Sequence, residues 1–198
     1  MHVGVLALQG DVSEHITMTK KAMDSVSIKG KVSEVKTRRE IRNLNALIIP
    51  GGESTTIGKL ICKYKMDSDI RSMAENGIPI MGTCAGLVLL AREGDEEIER
   101  TKQPLLELMN IKVNRNAFGR QRESFETDLK IPVLGKEPYH AVFIRAPTIE
   151  KIWGETRILA EYEGRIVVAQ ENNLLALSFH PELSNDLRMH EYFIRMVE

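Results

Sequence analysis

The chain has 198 residues, with 27 basic and 28 acidic side chains and a formal net charge of −1. This length predicts one domain, spanning residues 1–198, whose core is large enough to enclose a catalytic site. The balanced charge argues against a nucleic-acid or membrane-surface partner. With only two cysteines, no apolar run of membrane-spanning length and no signal-like N-terminus, the sequence predicts a cytoplasmic protein without disulfides.

Strands alternate with helices in the first half of the sequence. Apolar runs predict strands there at residues 3–8, 32–36, 46–49 and 79–82. The second half favours strands, which are predicted at residues 111–113, 125–131, 140–144, 158–162, 166–170 and 174–178, before a helix at about 186–197. This order predicts an α/β fold, a three-layer sandwich with a mostly parallel central sheet and helices on both faces. The strand-rich second half is expected to extend that sheet as a mixed one.

Two capping patterns predict where helices begin. Asp11 followed by Glu14 is typical of a capping box, and it predicts a first helix that ends near Val26. Thr37 and Glu40 have the same spacing and predict a second, short helix. Both helices follow directly on predicted strands, as the alternating fold requires.

Apolar spacing and a glycine place the next two helices. Residues 57–64 have apolar side chains at helical spacing, and Cys62 is interpreted as a core residue on that apolar face. Asp67 is expected to cap a further helix that Gly77 ends. Residues 94–103 are highly charged and are interpreted as an exposed connection.

Cys84 lies at the centre of a Gly-x-Cys-x-Gly pattern between a predicted strand and a predicted helix. Such a pattern is typical of a nucleophile elbow, where a sharp turn presents the central side chain and flanking glycines relieve the crowding. The N–H groups at the helix start favour a thiolate and can stabilise an oxyanion. The same five residues also fit a buried cysteine in an ordinary turn, so the pattern alone leaves both interpretations open.

His180 follows an apolar strand and precedes Pro181 and Glu182. Proline restricts the backbone here, so His180 can act as the base for Cys84 while Glu182 orients the imidazole. Taken alone, these residues fit a histidine that caps a strand end beside a solvated glutamate. Together with the elbow at Cys84, the catalytic interpretation is favoured over this structural one. The other four histidines lie at the N-terminus, within predicted helices or at the start of a strand: His2, His15, His190 and His140.

Paired glycines follow the third predicted strand in the segment at residues 50–55, Pro-Gly-Gly-Glu-Ser-Thr. Glycines let backbone N–H groups approach a ligand, so the segment can supply half of an oxyanion hole. A phosphate cradle is disfavoured because the P-loop lysine spacing is absent, and a plain turn is the remaining alternative. Residues 82–86 and 179–182 are two further polar segments that follow predicted strands. Because the carboxyl ends of parallel strands meet at one edge of a sheet, all three segments are expected to form one site.

Six segments of the sequence resemble the class I glutamine amidotransferases and, within them, the glutaminase subunits of pyridoxal 5′-phosphate synthase. They occur in that family's order and span nearly the whole chain, at residues 4–10, 50–56, 82–86, 115–121, 143–147 and 179–182. The elbow cysteine and the His-Pro-Glu segment are typical of the broad class. The Gly-Gly-Glu-Ser-Thr, Arg-Asn-x-Phe-Gly-Arg-Gln and Phe-Ile-Arg-Ala-Pro segments are specific to the subfamily.

The resemblance implies that the chain hydrolyses L-glutamine to L-glutamate and ammonia through a thioester, with no cofactor. No metal is expected, because the sequence has no ligand cluster with suitable spacing. Cys84 would be the nucleophile, His180 the base and Glu182 the residue that orients His180. The backbone N–H groups of Gly52 and Ala85 would form the oxyanion hole.

The same resemblance implies a binding site and a partner. Glutamine would be bound by the segments that contain Gly52, Glu53, Ser54, Arg115, Ile144 and Arg145, and an arginine suits the α-carboxylate of the substrate. Gln9 matches a position near the oxyanion loop and the interface with a synthase subunit. That subunit would receive the ammonia and build pyridoxal 5′-phosphate, and its docking would raise a low basal activity.

Three other functions compete with this one. A glutaminase for another synthase, such as that of the histidine pathway, would share the elbow and the His-Pro-Glu segment but lack the subfamily segments. A non-catalytic module on the same scaffold would be expected to lose the cysteine, histidine or glutamate. A stand-alone cysteine hydrolase of related fold would act without a partner.

Overall fold

The computed structural model describes residues 1–115 and 124–197. Its strands are β1 (His2–Leu6), β2 (Lys31–Val35), β3 (Ala46–Ile49), β4 (Ile80–Thr83), β5 (Ala91–Glu93), β6 (Met109–Asn114), β7 (Ser124–Leu129), β8 (Tyr139–Ile144), β9 (Thr148–Ile152), β10 (Arg157–Tyr162), β11 (Arg165–Glu171) and β12 (Leu174–Leu177). Its helices are α1 (Val12–Ser25), α2 (Arg38–Ile41), α3 (Ser54–Lys63), α4 (Asp67–Glu75), α5 (Ala85–Leu90), α6 (Glu96–Thr101) and α7 (Arg188–Arg195). Two 3-10 turns cover Pro132–Leu134 and Pro181–Leu183.

One large mixed sheet runs through the middle of the molecule, in the strand order β2-β1-β3-β4-β12-β11-β9-β6-β5, with β10 paired to β11. Strands β2, β1, β3, β4 and β12 are parallel neighbours, whereas β11 runs antiparallel to β9, β10 and β12. Strands β7 and β8 form a separate antiparallel pair. The predicted mostly parallel sheet with a mixed extension is confirmed.

Alternating side chains of the central strands supply two cores, one on each face of the sheet. In β3, Leu47 and Ile49 belong to one core, and Ala46 and Ile48 to the other. The first core is completed by α3, α4 and α5, and the second by α1, α7 and the β7–β8 pair. Because each strand alternates its side chains between faces, a fully apolar run is what a sheet covered on both sides requires.

Most of the predicted elements are confirmed to within about two residues at their ends. The predicted capping box of α2 is present, with Glu40 Oε2 accepting from the Thr37 N–H group at 2.9 Å. Helix α4 begins at Asp67, although Met66 is its capping residue, and Gly77 follows its end at a φ of +75°.

Four expectations were wrong or incomplete. Cys62 is exposed, because the buried stripe of α3 comprises Ser54, Ile57, Gly58 and Ile61, and the next residue turns away from it. Asp11 is the capping residue of α1, but its side chain makes no capping hydrogen bond. Residues 94–103 contain helix α6, and the short strands β5 and β9 were not predicted.

Among the residues described, no helix combines the length and the apolar character that crossing a membrane requires.

Candidate active site

The carboxyl ends of β1, β3, β4 and β12 meet at one edge of the sheet, because these strands are parallel neighbours. The ends of β3, β4 and β12 carry the three polar segments singled out in the sequence, and the end of β1 carries Gln9, the position implied by the resemblance. Gln9 follows β1, Gly52 follows β3, Cys84 follows β4 and His180 follows β12. The topology therefore brings four distant parts of the chain to one place.

Cys84 occupies the sharp turn between β4 and α5, with a φ of +49° and a ψ of −102°. A non-glycine residue with positive φ is strained, and such strain persists where the surrounding structure imposes it. The turn brings Gly82 and Gly86 together, so a Cβ on Gly82 would lie 2.6 Å from the Gly86 carbonyl group. A Cβ on Gly86 would overlap the Ile49 carbonyl oxygen, so both glycines are needed for this geometry. These are the features of a nucleophile elbow.

His180 and Glu182 flank the start of the 3-10 turn at Pro181–Leu183 and are both buried. The Nδ1 atom of His180 lies 2.6 Å from Glu182 Oε1. The Cys84 side chain also lies beside His180 and helps to raise its pKa, and the Cys84 Sγ atom lies 3.8 Å from the Ile144 carbonyl oxygen. Cysteine, histidine and glutamate thus form a continuous chain of contacts.

Among Cys84, His180 and Glu182, the residue that holds the proton is His180. Burial acts to lower the pKa of His180, but hydrogen bonds with Asp11, Cys84 and Glu182 outweigh it and raise the pKa to about 12. Burial raises the pKa of Glu182, although the bond with His180 opposes the shift. The short contact between His180 Nδ1 and Glu182 Oε1 pairs a ring N–H donor with an ionised acceptor, so we assign Glu182 as the carboxylate.

Asp11 is an unexpected neighbour of the imidazole. Its Oδ2 atom lies 3.5 Å from His180 Nδ1, which explains why this side chain does not cap α1. The hydrogen bond with His180 lowers the pKa of Asp11, so this carboxylate adds a second negative charge beside the imidazole.

Asp11, His180 and Glu182 each offer a ligand atom within 4.8 Å of the other two, so they are the described residues that could hold a metal ion. The sequence spacing did not reveal this grouping. Nδ1 of His180 already contacts both carboxylates, so a cation there would displace the proton that joins His180 to Glu182. The cluster is better suited to hold an imidazolium than a catalytic metal.

Gln9 covers the paired-glycine segment. Its Oε1 atom accepts from the Glu53 N–H group at 2.8 Å. A Cβ on Gly52, which has a φ of +144°, would lie 2.6 Å from the same oxygen. Glu53 in turn caps α3 by accepting from the N–H groups of Thr55 at 3.1 Å and Thr56 at 2.6 Å. The segment therefore has a defined resting arrangement with Gln9 packed against Gly52.

Arg115 lies at the end of β6 and points towards the start of α3. Its Nη1 donates to Gln103 Oε1 at 2.9 Å and to Thr55 Oγ1 at 3.4 Å, and its Nη2 lies 3.6 Å from Glu53 Oε1. Ser54 also donates to Gln103 at 3.4 Å. The guanidinium is thus held in one orientation beside the segment predicted to bind glutamine.

The remaining predicted residues lie on the same side of the molecule. Ala85 is the first residue of α5, and the Ile144 carbonyl group faces Cys84. Arg145 is exposed and has a φ of +44°. Residues 116–121 of the subfamily segment that begins at Arg115 lie outside the described residues.

Three groups at the site were missed in the sequence. Asp11 was interpreted only as a helix cap, and Gln103 only as part of an exposed connection. His15, whose Nε2 atom lies 3.1 Å from Glu182 Oε2, was set aside because it falls within a helix. Its place in the buried stripe of α1, with Met18, Thr19 and Ala22, is the signal that could have identified it.

Comparison with known proteins identifies the family. The model of the SNO glutamine amidotransferase family matches residues 5–198. The chain is 49% identical over 194 residues to the pyridoxal 5′-phosphate synthase subunit PdxT of Methanococcoides burtonii, covering 98% of both chains. It is 50% identical to the PdxT subunit of Moorella thermoacetica over the full length of both chains.

Solved structures agree with these relatives. A crystal structure of a glutamine amidotransferase matches with a TM-score of 0.86 and 44% identity, over 98% of both chains. The PurLQS structure from Thermotoga maritima matches with a TM-score of 0.67 at 13% identity, covering 100% of this chain and 98% of that one, and shows the shared fold alone. The family match and the relatives both span almost all of the sequence. The chain belongs to the SNO glutamine amidotransferase family.

Proposed function

We propose that this chain hydrolyses L-glutamine to L-glutamate and ammonia, and that it delivers the ammonia to a synthase subunit that makes pyridoxal 5′-phosphate. The observation that carries the proposal is the chain of contacts from Cys84 through His180 to Glu182 at the end of the parallel strands. The identity with PdxT subunits supports the choice of pathway. Residues 1–198 act as a single amidotransferase domain.

Cys84 is the nucleophile in this proposal. Its sulfur attacks the side-chain amide carbon of glutamine, and the C–N bond breaks as His180 gives its proton to the departing ammonia. The product of this step is a γ-glutamyl thioester on Cys84. Water, deprotonated by His180, then attacks the thioester and releases glutamate and the free sulfur. Glu182 keeps the imidazole oriented through both steps.

The oxyanion formed in each step is bound by the backbone N–H groups of Gly52 and Ala85. Ala85 begins α5, whose first N–H groups have no partner within the helix. Gly52 belongs to the segment against which the Gln9 side chain packs. Docking of the synthase rearranges this segment in our proposal, so we expect the activity to depend on the partner.

Glutamine binds in this proposal between the start of α3 and Arg115. Glu53 and Ser54 provide polar groups there, together with the backbone at Ile144 and Arg145. The guanidinium of Arg115 suits the α-carboxylate, since planar arginine pairs with carboxylates through two hydrogen bonds. The fixed orientation of Arg115 on Gln103 supports this assignment.

The compartment in this proposal is the cytoplasm, and no cofactor is required. Both Cys62 and Cys84 are free thiols, as a reducing compartment maintains them. A cysteine nucleophile loses activity when it is oxidised, so the proposed chemistry itself favours such a compartment.

The test mixes the chain with purified synthase subunits and measures glutamate release from glutamine. We expect the pyridoxal 5′-phosphate synthase subunit to raise the rate at least tenfold, and the synthase subunit of the histidine pathway to leave it unchanged. Activation only by the second subunit would assign the chain to that pathway. Full activity without any partner would instead support a stand-alone hydrolase.

A further inference from the structure

Two fully buried histidines lie behind the triad candidates. His15 on α1 and His190 on α7 have no exposed surface, although both are polar. Burying an imidazole away from water is unfavourable unless its nitrogen atoms find partners. The two helices that carry these residues pack together over the second core, so apolar side chains would fill the same space at lower cost.

These histidines continue the chain of contacts that starts at Cys84. His190 Nε2 lies 3.4 Å from His15 Nδ1. His15 Nε2 hydrogen bonds with Thr83 Oγ1 at 3.1 Å and also lies 3.1 Å from Glu182 Oε2. Glu182 is thus contacted on one oxygen by His180 and on the other by His15. Thr83 immediately precedes Cys84, so His15 contacts Glu182 and the residue next to the candidate nucleophile.

Thr83 Oγ1 is the hydrogen-bonded partner of His15 Nε2, whereas Glu182 Oε2 lies equally close but outside hydrogen-bond geometry. Because an ionised carboxylate repels a nitrogen lone pair at 3.1 Å, this contact favours the tautomer with the proton on His15 Nε2, which leaves Nδ1 as an acceptor. His190 must then present its own Nε2–H group to that atom. Burial lowers the pKa of His15 well below its usual value and that of His190 to about 4, so both rings are neutral at physiological pH.

We propose that His15 is a positioning residue that holds Glu182 against His180, and that His190 fixes the tautomer in which His15 does so. This inference rests on the proposed function, since it assigns a role to a residue that acts through Glu182. It predicts that the triad is supported by α1 and α7, two elements that contribute none of its members.

The charged and titratable groups around Glu182 come from several elements. His180 and Asp11 face it from the strand ends, His15 from α1, and Tyr139 from β8. Apart from His180, the groups that face Glu182 are anionic or neutral at physiological pH. Loss of the His15 N–H group therefore favours protonation of Glu182, and a neutral Glu182 stabilises the His180 imidazolium less.

The first test compares four variants of the full chain, all in a Cys62→Ala background so that iodoacetamide reports on Cys84. His15→Met removes the N–H group at similar volume, whereas His15→Gln keeps a donor at the position of Nε2. His190→Met removes the group that fixes the tautomer. Thr19→Val is the matched control, because Thr19 is fully buried on the same face of α1 and its hydroxyl has no hydrogen-bond partner among the described residues.

We expect His15→Met to lower kcat for glutamine in the synthase complex at least tenfold, with KM changed less than about threefold. Alkylation of Cys84 at pH 7 should slow about fivefold, and the alkaline limb of the kcat profile should move to lower pH. His15→Gln should keep most of the activity, alkylation rate and pH profile that His15→Met loses. The values for His190→Met should lie between those of His15→Met and His15→Gln. Thr19→Val should match the Cys62→Ala protein in all three measurements. A folded His15→Met variant with the parental alkylation rate and pH profile would overturn the proposal, as would equal losses in His15→Gln and His15→Met.

A second measurement needs no substitution at His15. Nitrogen-15 NMR of the unsubstituted chain should show His15 neutral between pH 5 and 9 with its proton on Nε2. A charged His15, or a proton on Nδ1, would refute the inference even where the Met variant fails to fold. Alkylation and NMR require neither glutamine nor synthase, so they decide the role of His15 separately from the proposed glutaminase function.

Discussion

The backbone of Cys84 adopts a conformation that an L-residue rarely takes, with a φ of +49°. That strain places its sulfur beside His180 instead of inside the strand–helix turn. A structural cysteine gains nothing from such a position, whereas a nucleophile requires it. Cys62, the other cysteine, lies exposed on α3 in an ordinary helical conformation.

The two cysteines provide a matched pair of substitutions. We expect Cys84→Ser to lower glutamate release in the synthase complex by about a thousandfold or more, because a hydroxyl is a far weaker nucleophile at neutral pH. Cys62→Ala should stay within about twofold of the unsubstituted chain, since the side chain is exposed and distant from the site. Steady-state assays of glutamate release measure the activity of both variants. Comparable losses in the two variants would contradict the assignment of the nucleophile.

The raised pKa of His180 predicts how stability depends on pH. A group whose pKa is higher in the folded state stabilises fully below its unfolded value of 6.5, and the benefit is lost as pH rises towards the folded value of about 12. In a Cys84→Ser background, which removes the thiol from the site, the free energy of unfolding should fall with rising pH between 7 and 10.

His180→Gln in the same background is the comparison, because it has no titrating ring. Its free energy of unfolding should fall less steeply, by up to about 1.4 kcal/mol per pH unit, the value for one proton. Urea denaturation at several pH values measures both slopes. Parallel slopes for the two proteins would mean that His180 is not held as an imidazolium.

Local patterns in the sequence predicted a candidate nucleophile and its candidate partners, because an elbow and a His-Pro-Glu segment are short patterns that can be recognised together. The residues behind them were not predictable in this way. Asp11 and His15 lie about 170 residues from the histidine and glutamate that they contact, and only the fold brings them together. A buried position on an amphipathic helix was the only local sign of His15.

At the scale of elements, α6 links the fold to the candidate substrate site. Asp95 caps this helix, with Oδ1 accepting from Glu97 and Ile98 N–H groups at 3.1 and 3.0 Å. Its other oxygen accepts from the Arg115 N–H group at 2.8 Å. One carboxylate therefore begins a helix and anchors the arginine.

Two substitutions separate these roles. Asp95→Ala should lower the free energy of unfolding by about 1–2 kcal/mol, the usual loss for a capping residue. Asp95→Asn should keep most of the cap, because its amide oxygen can still accept, but it offers only a donor towards Arg115. Both variants should raise the KM for glutamine, and thermal denaturation with steady-state kinetics distinguishes the effects. An unchanged KM in both would remove Asp95 from substrate binding.

The elbow depends on close approach of two backbones at Gly86. Gly86→Ala places a methyl group on the Ile49 carbonyl oxygen, so we expect a loss of at least about 2 kcal/mol in unfolding free energy. Gly164→Ala is the control, because that glycine has a φ of +72° but no atom within 4 Å of its Cβ position. It should lose only about 1 kcal/mol through backbone strain. Equal losses in urea denaturation would show that contact with Ile49 is unimportant.

Apolar runs predicted the strands of the central sheet well, because a strand that is covered on both faces needs apolar side chains on both faces. Apolar patterns did not predict the short elements in which most side chains are charged or exposed. Helix α6 contains four charged residues among six and buries little besides Ile98, so it has no apolar stripe to recognise. Strand β5 has only three residues, and two of them are exposed.

For the whole molecule, the proposed function depends on polypeptide segments that only the parallel sheet brings together. The family match covers residues 5–198, so the same sheet organisation is expected throughout the PdxT relatives. The alternation of strands and helices predicted a parallel sheet, but it did not predict the pairing of β4 with β12, since about 90 residues separate them. That pairing joins Cys84 to His180.

The most direct test of the account is mass spectrometry of the synthase complex, quenched with acid within the first turnover of glutamine. We predict a γ-glutamyl thioester on the peptide that contains Cys84, which forms before free glutamate accumulates and is absent from the Cys84→Ser variant. Glutamate release without any adduct on Cys84, or with an adduct on another residue, would contradict the account.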